Sequence, residues 1–193
     1  RRASRDLPRS TLRTPARLDD FSLHAAITYL DSEPLTGVQG IHLYNESYMF
    51  VASKQMVGDN LTDISWTEAA KYPLCLLTKD MQNRRIINGV FDTISVDPTI
   101  KVETNSFAVI MGHIATGKYA SILPLLYLSS YGMLDELTYV HLEEPEIYQS
   151  VGLVIADRDP VLPITKEFLK STEEFLKKQS TPSKSTRLDH CIT

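Results

Sequence analysis

A regular alternation of short apolar runs and amphipathic helical segments in the middle of the chain limits its fold more than any other feature. LCLLT (74–78) is the kind of apolar run that forms a buried strand, and the segment QNRRIINGVF after it repeats apolar residues at helical spacing. Two further helices, FAVIMGHIATG and LLYLSSYG, alternate with three further strands, KVETN, YASILP and LTYVHL. Strands that alternate with helices of this length predict an α/β protein with a mostly parallel sheet.

Further elements are predicted on both sides of this region. LHAAITYL (23–30) and SVGLVIA (150–156) are short apolar runs typical of buried strands. IHLYNESYMFVAS (41–53) is longer and rich in aromatic and β-branched residues, which predicts a long strand. A helix with one apolar side is predicted over 161–178.

Helix ends can also be read from the sequence. Ser65 and Glu68 have the S-x-x-E spacing of a capping box, which predicts a short helix at WTEAAKY (66–72). Gly117 and Gly132 follow two of the helical segments and are predicted to end them.

Composition narrows the class of protein. The 193 residues carry a formal net charge of −4, which argues against a nucleic-acid-binding surface over the whole chain. Cys75 lies in an apolar run and Cys191 in a polar tail, so no disulfide framework is predicted and a cytoplasmic setting is expected. No apolar run is long enough to predict a membrane span. The basic residues 1–20 are expected to be irregular, and the polar tail 179–193 disordered.

Two predicted strand ends combine polar side chains with the start of a helix. Residues 78–84 join one strand to its helix, and residues 104–107 join the next. Ligands of open parallel sheets lie beyond the carboxyl ends of the strands, and free N–H groups at a helix start favour an anion. The alternative is that Asp80 and Ser106 serve only as N-caps.

Other kinds of site are not predicted. The five histidines are scattered without Cys, Asp or Glu at ligand spacing, so neither a metal site nor a cofactor is expected. The Gly117-Lys118 pair lacks the rest of a phosphate loop. Arg84 and Arg85 either hold a carboxylate or form an exposed helix face. A small α/β enzyme is a third hypothesis that no nucleophile or cofactor motif supports.

Five longer segments, taken in order, point to a known family. They are LHAAITYLDSEPL, IHLYNESYMFVAS, ISWTEAAKYPLCLLT, VETNSFAVIMGHIATGKYASILP and VGLVIADRDPVLPITKEFL. The first two resemble a strand with its turn and a strand that crosses between lobes in the C-terminal regulatory domain of LysR-type transcriptional regulators. The third is similar to the helix and strand that open the second lobe of that domain, and the last two to its Gly-rich helical segment and its closing strand and helix.

The resemblance implies a two-lobed fold like that of type-II periplasmic binding proteins. Two crossover strands, near 44–53 and 147–155, would join two mostly parallel sheets. The first lobe would comprise 21–50 and 151–178 and the second lobe 51–150. The first lobe is expected to be incomplete, because the strand and helix that begin the family's regulatory domain are not found, and the DNA-binding domain is expected to be missing.

The resemblance also implies a ligand site. A small effector, expected to be an anion, would lie in the cleft between the lobes, with Tyr29 facing it from the first lobe. The second-lobe residues that match the family's two effector-contacting loops are Thr78, Asp80, Met81, Gln82, Asn83, Asn105, Ser106 and Phe107.

The function that follows is effector sensing rather than catalysis. The protein would form a homodimer or homotetramer, bind promoter DNA only through a separate N-terminal winged helix-turn-helix domain, and have no membrane partner. The alternative hypothesis is a periplasmic solute-binding protein of a transporter. Its fold would be similar, but it requires export, and the sequence shows no signal peptide.

Overall fold

The structure, a computed structural model, describes residues 24–31, 37–132, 134–156 and 163–179. The irregular segment expected at 1–20 lies outside these residues, as does the expected tail apart from Gln179. No helix within the described residues is long and apolar enough to cross a membrane.

The chain forms two compact units. The second unit runs from Ser47 to Ile147, and the first unit combines the described residues up to Glu46 with those from Tyr148 onward. The strands are β1 (Ala25–Tyr29), β2 (Val38–Glu46), β3 (Tyr48–Ser53), β4 (Asp63–Ser65), β5 (Leu74–Leu77), β6 (Ile100–Thr104), β7 (Ser121–Pro124), β8 (Leu137–Glu143) and β9 (Gln149–Ala156). The helices are α1 (Lys54–Val57), α2 (Trp66–Ala69), α3 (Gln82–Thr93), α4 (Phe107–Ala115), α5 (Leu125–Tyr131) and α6 (Pro163–Gln179).

The second unit combines parallel and antiparallel strands. One sheet has the order β4-β8-β3-β7, in which β4 is parallel to β8 and β3 is antiparallel to both of its neighbours. β5 and β6 form a parallel pair, and a parallel bridge between Leu74 and Ala120 brings β7 to the other side of β5. The three strands linked by α3 and α4 therefore run in the same direction, since a helical crossover returns the chain to the same end of the sheet.

The core of the second unit is apolar and closely packed. Trp66 is fully buried, its ring meets that of Phe91 edge-on with centroids 5.4 Å apart, and its indole N–H donates to the carbonyl of Pro145 at 2.9 Å. Ile87 on α3 and Leu76 on β5 belong to the same cluster. Full burial of such side chains stabilises the fold by about 1.5–3 kcal/mol each, which fixes α3 against its sheet.

In the first unit, β9 lies between β1 and β2 and is antiparallel to both. Gly152, in the middle of β9, pairs with Thr28 on one side and His42 on the other. A Cβ at this position would come within 2.6 Å of the carbonyl oxygen of Ile41 and 2.5 Å of a Leu30 methyl group. Only glycine therefore allows the three strands to approach this closely.

The α/β class predicted from the alternating pattern is confirmed. The described strands of the first unit are antiparallel rather than parallel, because β9 enters the sheet between β1 and β2 and runs opposite to both. The strand expected over 41–53 is confirmed except at one residue. Ser47 interrupts it, so that β2 belongs to one sheet and β3 to another.

Candidate functional site

Three parallel strands of the second unit end side by side. Leu77 of β5 pairs with Thr104 of β6, and the N–H of Thr78 donates to the carbonyl of Thr104 at 3.0 Å. β7 runs parallel to β5 on the other side and ends at Pro124. We use the name carboxyl edge for the carboxyl ends of these three strands together with the residue that follows each of them: Thr78, Asn105 and Leu125.

The helix α3 begins at the carboxyl edge without a side-chain cap. Its N-cap is Met81, in an extended conformation with φ −80° and ψ 135°, and not Asp80 as the sequence suggested. The prediction was one residue too early because a turn comes first, in which the N–H of Met81 donates to the carbonyl of Thr78 at 3.0 Å. A methionine side chain cannot accept a hydrogen bond strongly from the first turn, so this helix start is not closed by its own N-cap.

The helix α4 begins at the same edge and is also uncapped. Ser106 occupies its N-cap position, but its side chain makes no capping hydrogen bond, and its own N–H donates to Thr104 Oγ1 at 3.3 Å. The serines before α1 and α2, Ser53 and Ser65, do cap with their side chains. Ser106 is therefore the N-cap residue, as the alternative predicted, but its side chain does not cap the helix. Two helix starts on neighbouring strands that lack a cap from the N-cap side chain can attract an anion.

Two buried polar side chains also lie at the carboxyl edge. Within the described part of the chain, the buried side-chain atoms without a hydrogen-bond partner are Ser47 Oγ and both amide atoms of Asn83. Each of these residues is only 7% exposed. Asn83 is in the first turn of α3, while Ser47 precedes β3 and accepts the N–H of Leu125 at its carbonyl, 2.9 Å away. Because Tyr48 pairs with Pro124, Ser47 lies beside the end of β7.

A buried arginine connects the parts of this edge. Arg84 is 1% exposed, and its Nη1 donates to the carbonyl of Leu77 at 2.6 Å and to Glu103 Oε1 at 2.7 Å. Its Nε donates to Asn88 Oδ1 at 2.8 Å. Arg84 therefore holds a carboxylate, which was one of its two predicted roles, but this carboxylate is the side chain of Glu103 and not a ligand. Its role here is to position α3 against the ends of β5 and β6.

Aromatic rings border the start of α4. Phe107, its first residue, stacks on Tyr127 of α5, with ring centroids 4.4 Å apart and planes at 26°. This contact fixes the start of α4 next to α5. The edge therefore has an apolar flank beside its polar helix starts.

The eight second-lobe residues predicted to contact a ligand all belong to the second unit. They follow the strands β5 and β6, whose ends are joined by the hydrogen bond between Thr78 and Thr104. Gln82 is already engaged, since its Oε1 accepts a hydrogen bond from Arg85. Tyr29 belongs to the first unit, where it lies in β1 opposite Val151. The eight residues in the second unit are Thr78, Asp80, Met81, Gln82, Asn83, Asn105, Ser106 and Phe107.

Sequence reasoning missed Ser47 as a candidate site residue. The only signal was the polar N-E-S triplet inside an otherwise aromatic and β-branched segment, which we interpreted as one continuous strand. In the first unit, the residue before this break is also buried and polar. Glu46 is 5% exposed and accepts a hydrogen bond from the Tyr44 hydroxyl at 3.4 Å. Burial, together with the Glu46 carboxylate and Tyr29, raises the pKa of Tyr44 well above its usual range.

An open groove of about 420 Å³ runs along α3 in the second unit. Both basic and acidic residues line it, among them Lys79, Arg84, Asp92 and Asp97. It contains none of the predicted ligand residues, and its opposed charges do not select a ligand of one sign. The open helix starts are therefore the better candidate site.

Two other chemistries find little support among the described residues. Cys75 is buried and unpaired, and burial raises the pKa of its thiol to about 11, which keeps it protonated and poorly reactive near neutral pH. Within the described ranges no group of three or more His, Cys, Asp or Glu side chains is arranged to hold a metal ion.

Comparison with known proteins gives one family. The family described as the LysR substrate binding domain matches residues 8–177, which is most of the chain. The match begins inside the segment 1–20 that the sequence pattern left without a predicted element. No curated protein matches the chain.

Solved structures with the same fold include several regulators. The regulatory domain of CcmR from Synechocystis PCC6803, in complex with 2-PG, has a TM-score of 0.69 and 19% identity, covering 87% of this chain and 79% of that chain. The effector-binding domain of QuiR, in complex with shikimate, has a TM-score of 0.65 and 18% identity, covering 86% and 78%. Full-length CbnR, complexed with its target DNA, has a TM-score of 0.67 and 11% identity; the match covers 82% of this chain but only 55% of CbnR.

Proposed function

The chain belongs to the family of LysR substrate-binding domains, and from this premise we propose that it is the effector-sensing domain of a LysR-type transcriptional regulator. Its ligand is a small anion bound at the carboxyl edge. Ligand binding changes how a separate N-terminal winged helix-turn-helix domain binds promoter DNA. The chain itself is not an enzyme, it acts as a homodimer or homotetramer, and it works in the cytoplasm, where promoter DNA is found.

The observation that carries this proposal is the pair of open helix starts. Two helices, α3 and α4, begin just after the neighbouring parallel strands β5 and β6. Neither N-cap side chain accepts a hydrogen bond from the first turn of its helix. The N–H groups of such a turn and the helix dipole favour negative charge. Shikimate, the ligand bound in the QuiR structure, is a carboxylate, which agrees with an anion as ligand here.

Neutral side chains complete the proposed site. Thr78 and Asn105 follow the paired ends of β5 and β6, and Ser106 offers a hydroxyl that is not used for capping. These groups can donate hydrogen bonds to a carboxylate without introducing a counter-charge. Asp80 would repel an anion, so we expect its carboxylate to face away from the bound ligand.

Calorimetric titration of the 193-residue chain with small carboxylates and oxyanions tests this site. We expect Thr78→Val and Asn105→Ala each to weaken binding about 10- to 150-fold, because each removes a hydrogen bond to a charged group worth about 1.5–3 kcal/mol. The matched controls are Thr62→Val and Asn60→Ala, at exposed positions in the loop before β4, and they should leave the affinity unchanged.

Two results would contradict the proposed ligand site. One is that no carboxylate or oxyanion binds. The other is that the Thr78 and Asn105 variants bind as tightly as the controls, which would mean that the ligand lies elsewhere. Sequence-selective DNA binding by this chain alone, measured in a mobility-shift assay at moderate salt, would contradict the assignment of DNA binding to a separate domain.

A further inference from the structure

The unpartnered side chains at the carboxyl edge suggest which class of anion the site takes. Ser47 and Asn83 are both nine-tenths buried, and none of their polar side-chain atoms has a partner among the described residues. Leaving a buried polar group unpaired destabilises the folded state. Such groups in a native structure call for an explanation, and a functional role is one of them. Asn83 follows β5 and Ser47 lies beside the end of β7, two of the strands that form the carboxyl edge.

The geometry of α3 directs the Asn83 amide toward this edge. Asn83 is the second residue of the helix, and helical side chains tilt toward the N-terminus, so its amide lies over the turn that leaves β5. One turn further along, Ile87 is fully buried in the apolar core. We therefore expect the amide to lie between the core and the carboxyl edge, and its polar partner to come from the edge.

The chemistry of the two side chains defines their partner. An amide offers one acceptor oxygen and an NH₂ group with two donors, and a serine hydroxyl both donates and accepts. A fully ionised oxyanion only accepts, and would leave Asn83 Oδ1 unpaired. A hydroxyl group both donates and accepts, so it can pair with either end of the amide and with Ser47.

We propose that Ser47 and Asn83 recognise a hydroxyl group of the ligand, and that the ligand is a small hydroxy acid. This inference rests on the proposed function, in which the open helix starts hold the carboxylate of the same molecule. Both amide atoms of Asn83 are covered in this structure, so the hydroxyl reaches them after a local movement at the carboxyl edge. A site that pairs with a ligand hydroxyl discriminates strongly against the analogue that lacks it.

Matched pairs of acids test the proposal by titration calorimetry on the 193-residue chain. The pairs are glycolate and acetate, lactate and propionate, and malate and succinate, with sulfate as a bare oxyanion. For at least one pair we expect the hydroxy acid to bind at least about tenfold more tightly than its partner. Asn83→Leu and Ser47→Ala should remove this preference, whereas Thr78→Val should weaken both members of the pair equally.

A second measurement does not depend on the ligand. Leucine has nearly the shape of asparagine and has no polar atoms, so Asn83→Leu should raise the thermal unfolding midpoint by about 2–4 °C. A structural role for the amide would instead make the same variant less stable. Asn60→Leu and Ser130→Ala, at exposed positions, are the controls and should not shift the midpoint upward.

The outcomes separate the two proposals. If acids bind and Thr78→Val weakens them, but no pair shows a hydroxyl preference, the hydroxy-acid inference is overturned and the proposed function stands. A fall in the unfolding midpoint of Asn83→Leu also overturns the inference alone. If no acid binds, or if Thr78→Val has no effect on binding, both proposals are overturned.

Discussion

Arg84 illustrates how one side chain can organise a region that its own sequence context does not reveal. It follows two polar residues, Gln82 and Asn83, in the first turn of α3, where an arginine is usually exposed. Yet Arg84 is 1% exposed and bonded to Leu77, Glu103 and Asn88. Its partner Glu103 is 42% exposed, so the pair is only half removed from water. Arg84 therefore stabilises the fold through its hydrogen bond to the buried carbonyl of Leu77 as much as through its ion pair with Glu103.

We expect Arg84→Met to lower the free energy of unfolding by about 2–3 kcal/mol, because it leaves the carbonyl of Leu77 buried without its donor. The measurement is urea unfolding followed by circular dichroism. The control is Asp59→Asn, which breaks the exposed pair with Lys54, 3.8 Å apart, and should change stability by less than about 0.5 kcal/mol. Equal effects of the two variants would show that burial of Arg84 adds nothing.

The capping role and the burial of single residues were the hardest features to predict from the sequence. Asp80 has the chemistry of an N-cap, but the turn after β5 moves the helix start to Met81. Asn83 was predicted as a ligand contact, and Arg84 either as holding a carboxylate or as part of an exposed face; only packing against the sheet decides that both are buried. Local chemistry indicates what a side chain can do, whereas its burial depends on residues far away in the sequence.

At the scale of secondary structure elements, the main contrast is between closed and open helix starts. Ser65 and Glu68 form the predicted capping box at the start of α2, and the hydrogen bond from the Ser65 backbone lowers the pKa of Glu68. The same residue type at the start of α4, Ser106, makes no capping bond. Identical side chains in identical positions thus have different roles, which local sequence cannot separate.

This contrast gives a matched pair of substitutions. Ser65→Ala should lower the free energy of unfolding by about 1 kcal/mol, because it removes a side-chain cap. Ser106→Ala should leave stability nearly unchanged and instead weaken ligand binding. Thermal and urea unfolding measure the first effect, and titration with the best-bound acid measures the second. A loss of stability in Ser106→Ala equal to that in Ser65→Ala would mean that Ser106 does cap its helix.

Most elements could be predicted because periodicity is a local property. The strands β5 to β9 and the helices α3 to α6 lie where apolar spacing indicated them. The short elements α1 and β4 were missed, since a segment of three or four residues is too short to show a hydrophobic period. The break at Ser47 was missed because β-branched and aromatic residues continue on both sides of it, and only pairing with two different sheets defines the boundary.

At the scale of the whole molecule, each unit exposes apolar side chains, and the first unit exposes more. Ile164, Phe168 and Phe175 lie on one face of α6 and are 63%, 43% and 49% exposed. Ile27 on β1 is 53% exposed. Large apolar surfaces on soluble proteins usually mark places where another surface binds.

We therefore expect the chain to self-associate through its first unit, and sedimentation velocity over a range of micromolar concentrations measures this. Replacing Phe168 and Phe175 together by Ser should shift the equilibrium toward the monomer. Val109→Ser is the control, since Val109 is 45% exposed in the second unit. A protein that is monomeric at every concentration would rule out this interface.

The uncapped start of α3 has a consequence for laboratory evolution of such a chain. Serine or aspartate in place of Met81 would cap the helix, and leucine in place of Asn83 would remove a buried unpaired amide; selection for heat tolerance favours both changes. Both also occupy positions that the proposed ligand needs. A library screened only for survival at high temperature is expected to accumulate proteins that endure heating and no longer bind the proposed ligand.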